Sequence, residues 1–352
     1  VPTNLTVINQ NQENIINSSI ETPSSDAYKF SWFDWFCLWY PPGWLILFNR
    51  HWQHYHCDPD GWNWLEYILF LIPGGFYLAI FIRWLRLGCR TPRQEISEFE
   101  PSYQQLFSQE ILAPIVEYYF HGELHQVENL PNTKPILVAM NHAGMCFPWD
   151  FLSLCYLLGK EREWIVKTLA GVSLFDHAWM IWWLPPGWST ALGGVRAELN
   201  EFTSALQDHI ILLYAPEGLR GPRKGWQKRY NLEKFDLSFM QLSQRFQIQI
   251  LPIICIGNEN LHPWSTNLQK LQRLFKLPFL PLSPLMLVFI LFPSMGVWAA
   301  KSHLRYFIQP LETTELQHNG KNNSNNKRAV AYQQAQALRE KMQNQINKLI
   351  NK

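Results

Sequence analysis

The chain has 352 residues, of which 47% are hydrophobic, 15% aromatic and only 16% charged, with 17 Trp and a formal net charge of +2. That composition excludes a disordered or collagen-like chain, and the near-neutral charge excludes electrostatic binding of nucleic acid. So few charges leave surface to be covered by apolar and aromatic groups, and Trp and Tyr collect where one end of the ring is apolar and the other wet, so a bilayer interface is expected. The six cysteines show no C-x-x-C pair and no disulfide framework, so a reducing compartment is expected. No basic stretch followed by an apolar core opens the chain, and no secretory signal is read.

Taken in order, residues 1–28 are rich in Asn, Gln, Ser and Thr and read as a disordered tail. Residues 29–95 read as a membrane-docking helical segment. Its first part, 30–48, is aromatic on all sides and broken at Pro41-Pro42-Gly43. Its second, 67–82, has sixteen uncharged residues interrupted by Pro73-Gly74-Gly75, short of the roughly 20 needed to span a bilayer. Arg83, Arg86, Arg90 and Arg93 follow and are expected to reach anionic headgroups on the cytoplasmic side. The competing reading is a buried helical hairpin. His51, His54, His56, Cys57 and Asp58 carry metal-ligand chemistry, but the surrounding Trp52, Tyr55, Trp62 and Trp64 favour an interfacial belt.

From about residue 120 the pattern is α/β. Strands are predicted at 124–128, 136–140, 164–167, 209–214, 249–256 and 304–309, and helices at 148–158, 198–206 and 232–245. Strands alternating with helices imply a largely parallel sheet flanked by helices, over a domain of 96–315, with ligands at the carboxyl ends of the strands. The apolar stretch 277–300 carries four prolines, which argue against a spanning helix; 285–292 is either a buried element or a second membrane-contacting face. A flexible linker, 316–327, leads to an amphipathic helix at 328–352 with Ala331, Ala335, Leu338, Met342, Ile346 and Leu349 on its apolar stripe.

Two strand ends carry chemistry. Asn141-His142 leave the strand 136–140, and Asp150 opens the next helix. A His there is able to take a proton from a hydroxyl, and a carboxylate on its other ring nitrogen fixes the tautomer. The alternative is a loop His and a helix-start Asp that never meet. After the strand ending at Tyr214 come Pro216-Glu217-Gly218 and then Arg220, Arg223, Lys224, Lys228 and Arg229. Turn amides beside Arg suit a phosphate, although the outer lysines read as a solvated loop.

Together these segments resemble the glycerolphosphate and lysophospholipid acyltransferase family. The first block of that family is Asn-His followed by Asp in the pattern H-x-x-x-x-D; the third is Pro-Glu-Gly-x-Arg, here Pro216-Glu217-Gly218-Leu219-Arg220. Ile250-Leu251-Pro252-Ile253-Ile254 matches the fourth, Gly194-Val195-Arg196 the looser second, and Lys167 ends a strand where members often carry Lys. The first block is stretched: seven residues separate His142 from Asp150 rather than four, so the expected loop is longer and must fold Asp150 back. Some members resembling the monoacylglycerol and diacylglycerol acyltransferase branch are stretched in the same way.

The resemblance implies a membrane-associated O-acyltransferase on the cytoplasmic face, working without metal or bound cofactor. It implies His142 as general base and Asp150 as its orienting partner. Asn141, Lys167, Arg196, Pro216, Glu217, Gly218 and Arg220 then bind substrate, and backbone donors near the 216–218 turn or the stretched loop stabilise the oxyanion. Acyl-CoA or acyl carrier protein donates the acyl group to a long-chain lipid acceptor. Phosphorylated acceptors and neutral ones (diacylglycerol, an isoprenoid alcohol or quinol) both remain open, as does a non-catalytic lipid-binding protein. A serine hydrolase is disfavoured, because no Gly-x-Ser-x-Gly elbow occurs.

Overall fold

Five consecutive buried residues, Ile136–Met140, form the strand β2 about which the sheet is ordered. A strand apolar on both faces belongs in the middle of a parallel sheet covered on both sides, and β2 has that place. The computed structural model describes residues 26–56, 58–93, 98–132, 136–143, 147–170, 180–196, 202–204, 211–218, 220–264, 266–267, 281–312 and 324–351. The tail up to residue 25, Cys57, the stretched loop 144–146, most of the predicted helix 198–206 and the linker as far as residue 323 lie outside them.

The other strands of the sheet are β1 (Glu123–His125), β3 (Val166–Ala170), β4 (Gly194–Arg196), β5 (Ile211–Tyr214), β6 (Gln249–Ile256) and β9 (Arg305–Ile308). Their order is β1-β9-β6-β2-β5-β3-β4, and every neighbouring pair is parallel except β6 and β9. β7 (Thr266–Asn267) and β8 (Pro281–Leu282) pair separately. The expected α/β class, a largely parallel sheet flanked by helices, is therefore the observed one.

One face of the sheet packs on α9 (Ser238–Phe246) and on the C-terminal helix α11 (Ser324–Ile350). Of the predicted stripe on α11, Ala331, Ala335, Leu338, Met342 and Ile346 are buried. α9 starts six residues later than the apolar pattern from 232 suggested. Leu232, the first residue of that pattern, is tied in extended chain to α11: its amide donates to Gln343 and its carbonyl accepts from Arg339.

The opposite face packs on α6 (Trp149–Arg162) and on the N-terminal helices α1 (Trp32–Trp39) and α2 (Trp44–Tyr55). Pro41-Pro42-Gly43 makes the break between α1 and α2, as expected. Trp44 through Phe48 are wholly buried, however, and Trp44 lies edge-on to Trp149 with ring centroids 5.0 Å apart. Here the segment 30–48 contributes core, and only the outer side of α1 (Trp32, Trp35, Phe36, Trp39) is left exposed.

The second apolar run folds as a hairpin of α3 (Trp64–Phe70) and α4 (Gly75–Arg86), turning at Gly74 with φ +73°. Its tip is clipped to α10 (Met286–Leu291): the Gly74 amide donates to the Leu291 carbonyl at 2.6 Å, and Tyr77 Oη to that of Ile290 at 2.9 Å. Trp64 packs on Phe33 of α1 at 5.2 Å. These contacts join the exposed apolar side chains of α1, α3, α4 and α10 into one face, on which Trp32 is 80% and Leu287 73% exposed. Among the described residues no helix is long and apolar enough to cross a membrane.

The arginines after this hairpin correct the sequence reading. Arg83 is buried, donates to the carbonyls of Asp60 and Trp182 and covers the Trp62 ring at 4.1 Å; burial lowers its pKa to about 10. Arg86 pairs with Glu66 and Arg90 with Asp60, and the Arg93 amide donates to Asp60. The side chains of Arg83, Arg86 and Arg90 thus fasten the 58–66 segment to the hairpin instead of standing free for headgroups. Between hairpin and sheet, α5 (Pro101–Phe107) continues through wider helical turns at Ser108–Leu112 and Ile115–Phe120. Glu110 on these turns gathers His51 Nε2 at 2.9 Å, Tyr55 Oη and the Tyr28 amide.

Candidate active site

Parallel pairing sets Ala139 of β2 level with Tyr214 of β5. The segments that leave these two strands, Asn141-His142 and Ala215-Pro216-Glu217-Gly218, therefore begin side by side. The two meet closely: a side chain at Gly221 would put its Cβ 2.6 Å from the His142 carbonyl oxygen, so only glycine lets the short helix α8 (Arg220–Arg223) approach.

His142 Nδ1 lies 3.0 Å from both carboxylate oxygens of Asp150. An ionised carboxylate only accepts, so Nδ1 carries the hydrogen and Nε2 presents its lone pair. Asp150 is fully buried at the start of α6. Its carboxylate also accepts from the amides of Ala143 (3.1 Å) and Phe151 (3.0 Å) and from Asn258 Nδ2 (3.2 Å), which keeps the charge supported inside the protein. The Phe151 ring packs against the imidazole at 4.6 Å. Burial pushes the His142 pKa down, but the charge and hydrogen bond of Asp150, helped by the charge of Glu217, outweigh it and leave it raised. The stretched block therefore still folds Asp150 back onto the ring.

Asn141 is buried. Its Nδ2 donates to the Cys255 carbonyl (2.9 Å) and its Oδ1 accepts from the Cys255 amide (2.8 Å), so it extends the β2–β6 pairing by one side chain. This corrects the expectation of substrate contact. Glu217 is also buried. Its Oε2 accepts from the Glu233 amide at 2.7 Å and lies 3.9 Å from Lys224 Nζ, which pairs with Glu259 at 2.6 Å; burial raises the Glu217 pKa to about 7. The Pro216 carbonyl accepts from the Asp236 amide, and Gly218 turns the chain at φ +54°.

The amides of Gly218, Arg220 and Gly221 are engaged within the turn by Ala215, Glu217 and Gly218 carbonyls. These three amides are therefore not free to hold an oxyanion or a phosphate; the stretched loop 144–146, the other source of donors in the sequence reading, lies outside the described residues. Arg220 is half-exposed, with a guanidinium nitrogen 3.9 Å from Asp236. Lys167 is level with Leu212, and so with Leu137, three residues short of the end of β2; its ammonium covers the Phe99 ring at 4.2 Å. The structure does not bring Lys167 to the His142 dyad. Arg196 ends the edge strand β4, which follows the short helix α7 (Trp188–Ala191), level with Ala170, and its side chain lies outside what is described.

Sequence reasoning missed Asn258, Glu259 and Tyr306, and read Lys224 only as one of a run of basic residues, not as the buried partner of Glu259. Tyr306 donates to the Asp150 carbonyl at 2.8 Å. None has a local signal, because each reaches the dyad from another strand end. The metal-like stretch disperses: His54 bonds the Asp26 carbonyl, and His56 stacks on Trp52 and meets Glu100. Among the described residues no group of His, Cys, Asp and Glu is placed to hold a metal.

With this geometry in view, residues 121–256 match the family model described as Acyltransferase. The matched segment runs from just before β1 to the end of β6 and holds both the His142–Asp150 pair and the 216–218 turn. An uncharacterized protein of Mycobacterium leprae is 28% identical over 228 residues, covering 62% of this chain and 58% of that one. Uncharacterized proteins of Mycobacterium bovis and Mycobacterium tuberculosis are each 28% identical over 192 residues, covering 53% of this chain and 51% of theirs. The chain thus spans about half the length of the curated relatives it matches. The 1-acyl-sn-glycerophosphate (LPA) acyltransferase PlsC of Thermotoga maritima aligns with a TM-score of 0.38 and 13% identity, over 80% of this chain and 95% of that one.

Proposed function

We propose that this protein is a membrane-bound O-acyltransferase that moves a fatty acyl group from the thioester of CoA or acyl carrier protein to the hydroxyl of a lysophospholipid or related glycerolipid. The observation that carries this reading is the His142–Asp150 dyad at a strand end, within the segment that matches the Acyltransferase family model, with the tautomer set so that Nε2 is available as a base. Nε2 takes the hydroxyl proton as the oxygen attacks the thioester carbonyl. The tetrahedral intermediate then expels the thiolate, which recovers the proton from His142. Asp150 stabilises the imidazolium between these two events. The exposed aromatic and aliphatic face over α1, α3, α4 and α10 supports attachment to one leaflet, where both long-chain substrates dissolve. Free Cys37, Cys89, Cys155 and Cys255 agree with a cytoplasmic location.

A second reading, a neutral acceptor such as diacylglycerol, is favoured by one observation. Lys224, a cation beside Glu217 and the dyad, is already matched by Glu259 and Glu217, which leaves half-exposed Arg220 and its neighbours to meet a phosphate. The test is transfer from labelled acyl-CoA and acyl carrier protein in phospholipid vesicles offering lysophosphatidate, other lysophospholipids or diacylglycerol. Label in the lysophospholipid products that disappears in His142→Ala is the expected result. Label only in triacylglycerol selects the second reading. Transfer by His142→Ala at the wild-type rate overturns the base assignment, and no transfer to any acceptor favours a lipid-binding protein.

A further inference from the structure

Asn258 follows β6 and stands 108 residues from Asp150 in sequence, yet its amide group touches both halves of the dyad segment. Nδ2 donates one hydrogen to Asp150 Oδ2 at 3.2 Å and the other to the Asn141 carbonyl at 3.1 Å, immediately before His142. Two acceptors facing one nitrogen fix which way the amide points, since the reversed amide would set oxygen against a carboxylate and a carbonyl. Asn258 is fully buried, and its Oδ1 has no hydrogen-bond partner among the described residues. An unmet buried acceptor is a cost in stability. It is tolerated here in an arrangement that aims both donors at the site.

The backbone is committed to the same end. Gly257 has φ +102°, and a Cβ there would lie 2.1 Å from the His303 carbonyl. The chain therefore turns sharply at the end of β6, in a conformation that suits only glycine, and delivers Asn258 under the dyad. The next residue, Glu259, accepts from the Tyr230 amide and pairs with Lys224, which faces Glu217. One three-residue turn thus supports both catalytic-loop segments.

Resting on the acyltransferase reading above, we propose that Asn258 is a positioning residue: it holds the Asp150 carboxylate and the Asn141–His142 peptide in fixed relation, so that the imidazole meets the acceptor hydroxyl in one orientation. The titratable and charged groups facing His142 and Asp150 are Glu217, Lys224, Glu259, His262, Cys255 and Tyr306. None of these is altered by a substitution at Asn258. Removing the amide leaves Asp150 with three partners and a more concentrated charge, so the imidazolium is held more tightly and the neutral base forms at higher pH.

The experiment compares wild type, Asn258→Ala, Asn258→Ser and His142→Ala as full chains in vesicles, each checked by thermal unfolding, with kcat and KM measured against pH. Asn258→Ala is expected to lose about 10- to 100-fold in kcat with KM little changed, and the acid limb of its kcat/KM profile is expected to move to higher pH. Asn258→Ser, which keeps one donor, is expected to fall between it and wild type, and it decides the matter if the alanine variant does not fold. Wild-type kinetics in the Asn258 variants, or lost activity with an unmoved acid limb, would overturn the assignment while His142→Ala remains inactive. Activity retained by His142→Ala would instead sink the underlying reading.

Discussion

The hydroxyl of Tyr306, on β9, which pairs antiparallel with β6, donates to the main-chain carbonyl of Asp150 at 2.8 Å. Both groups are buried, so the first turn of α6 is held through the Asp150 main chain as well as through its carboxylate. Tyr306→Phe keeps the ring and removes only this bond. A loss of about 1 kcal/mol in unfolding free energy is expected, with a modest fall in kcat, measured by denaturant titration and steady-state kinetics. An unchanged midpoint would show that the bond contributes nothing.

Asp150→Asn separates geometry from charge. An amide still reaches His142 but offers it no negative charge and permits the wrong tautomer. By analogy with orienting carboxylates elsewhere, kcat is expected to fall by about 10³- to 10⁴-fold. Because the charge of Asp150 is what raises the imidazole pKa above the level set by burial, the acid limb of kcat/KM is expected to move to lower pH. That is the opposite direction to Asn258→Ala, and pH-dependent single-turnover rates distinguish the two.

Burial of Glu217 has a stability signature. Its folded pKa of about 7 lies above the ordinary 4.5, so between those values the folded chain holds a proton that the unfolded chain has released. Stability is therefore fully present below about pH 4.5 and declines as pH rises toward 7. The shift, which already includes the opposing charge of Lys224, corresponds to at most about 3 kcal/mol. Glu217→Gln is expected to flatten this slope, as read by melting temperature across pH 4–8. An identical slope in the variant would assign it to other groups.

The apolar face predicts a graded loss of membrane binding. Trp39→Glu on α1 and Leu287→Glu on α10 each place a charge where an exposed apolar side chain now stands. Each is expected to weaken vesicle binding about tenfold without lowering the melting temperature, in sedimentation assays at fixed lipid concentration. If the α10 substitution has no effect while the α1 substitution does, the contact with lipid excludes α10.

Elements whose causes are local were legible in the sequence. β2 and β6 have the predicted bounds because a continuous apolar, β-branched run flanked by polar turns permits little else. The His142–Asp150 dyad was legible for the same reason, since strand, loop and helix start are contiguous. Asn258 and Tyr306 were not, because sheet order brings them in from more than 100 residues away. The 30–48 segment misled in a different way. A helix apolar on all sides looks the same whether it faces lipid or protein, and Trp44 through Phe48 turned out to face protein. Arg83 and Arg90 were read from their apolar neighbours, whereas their true partner is Asp60 in the preceding loop.

The ring contacts that join Trp44 to Trp149 and Phe48 to Trp188 tie the first helices to helices that cover the sheet. Excising the polypeptide at residue 121, where the family match begins, would strip the lid from those rings and leave them wet. A fragment cut there is expected to clump rather than stay monomeric, because the N-terminal helices and the sheet-bearing segment share one hydrophobic core.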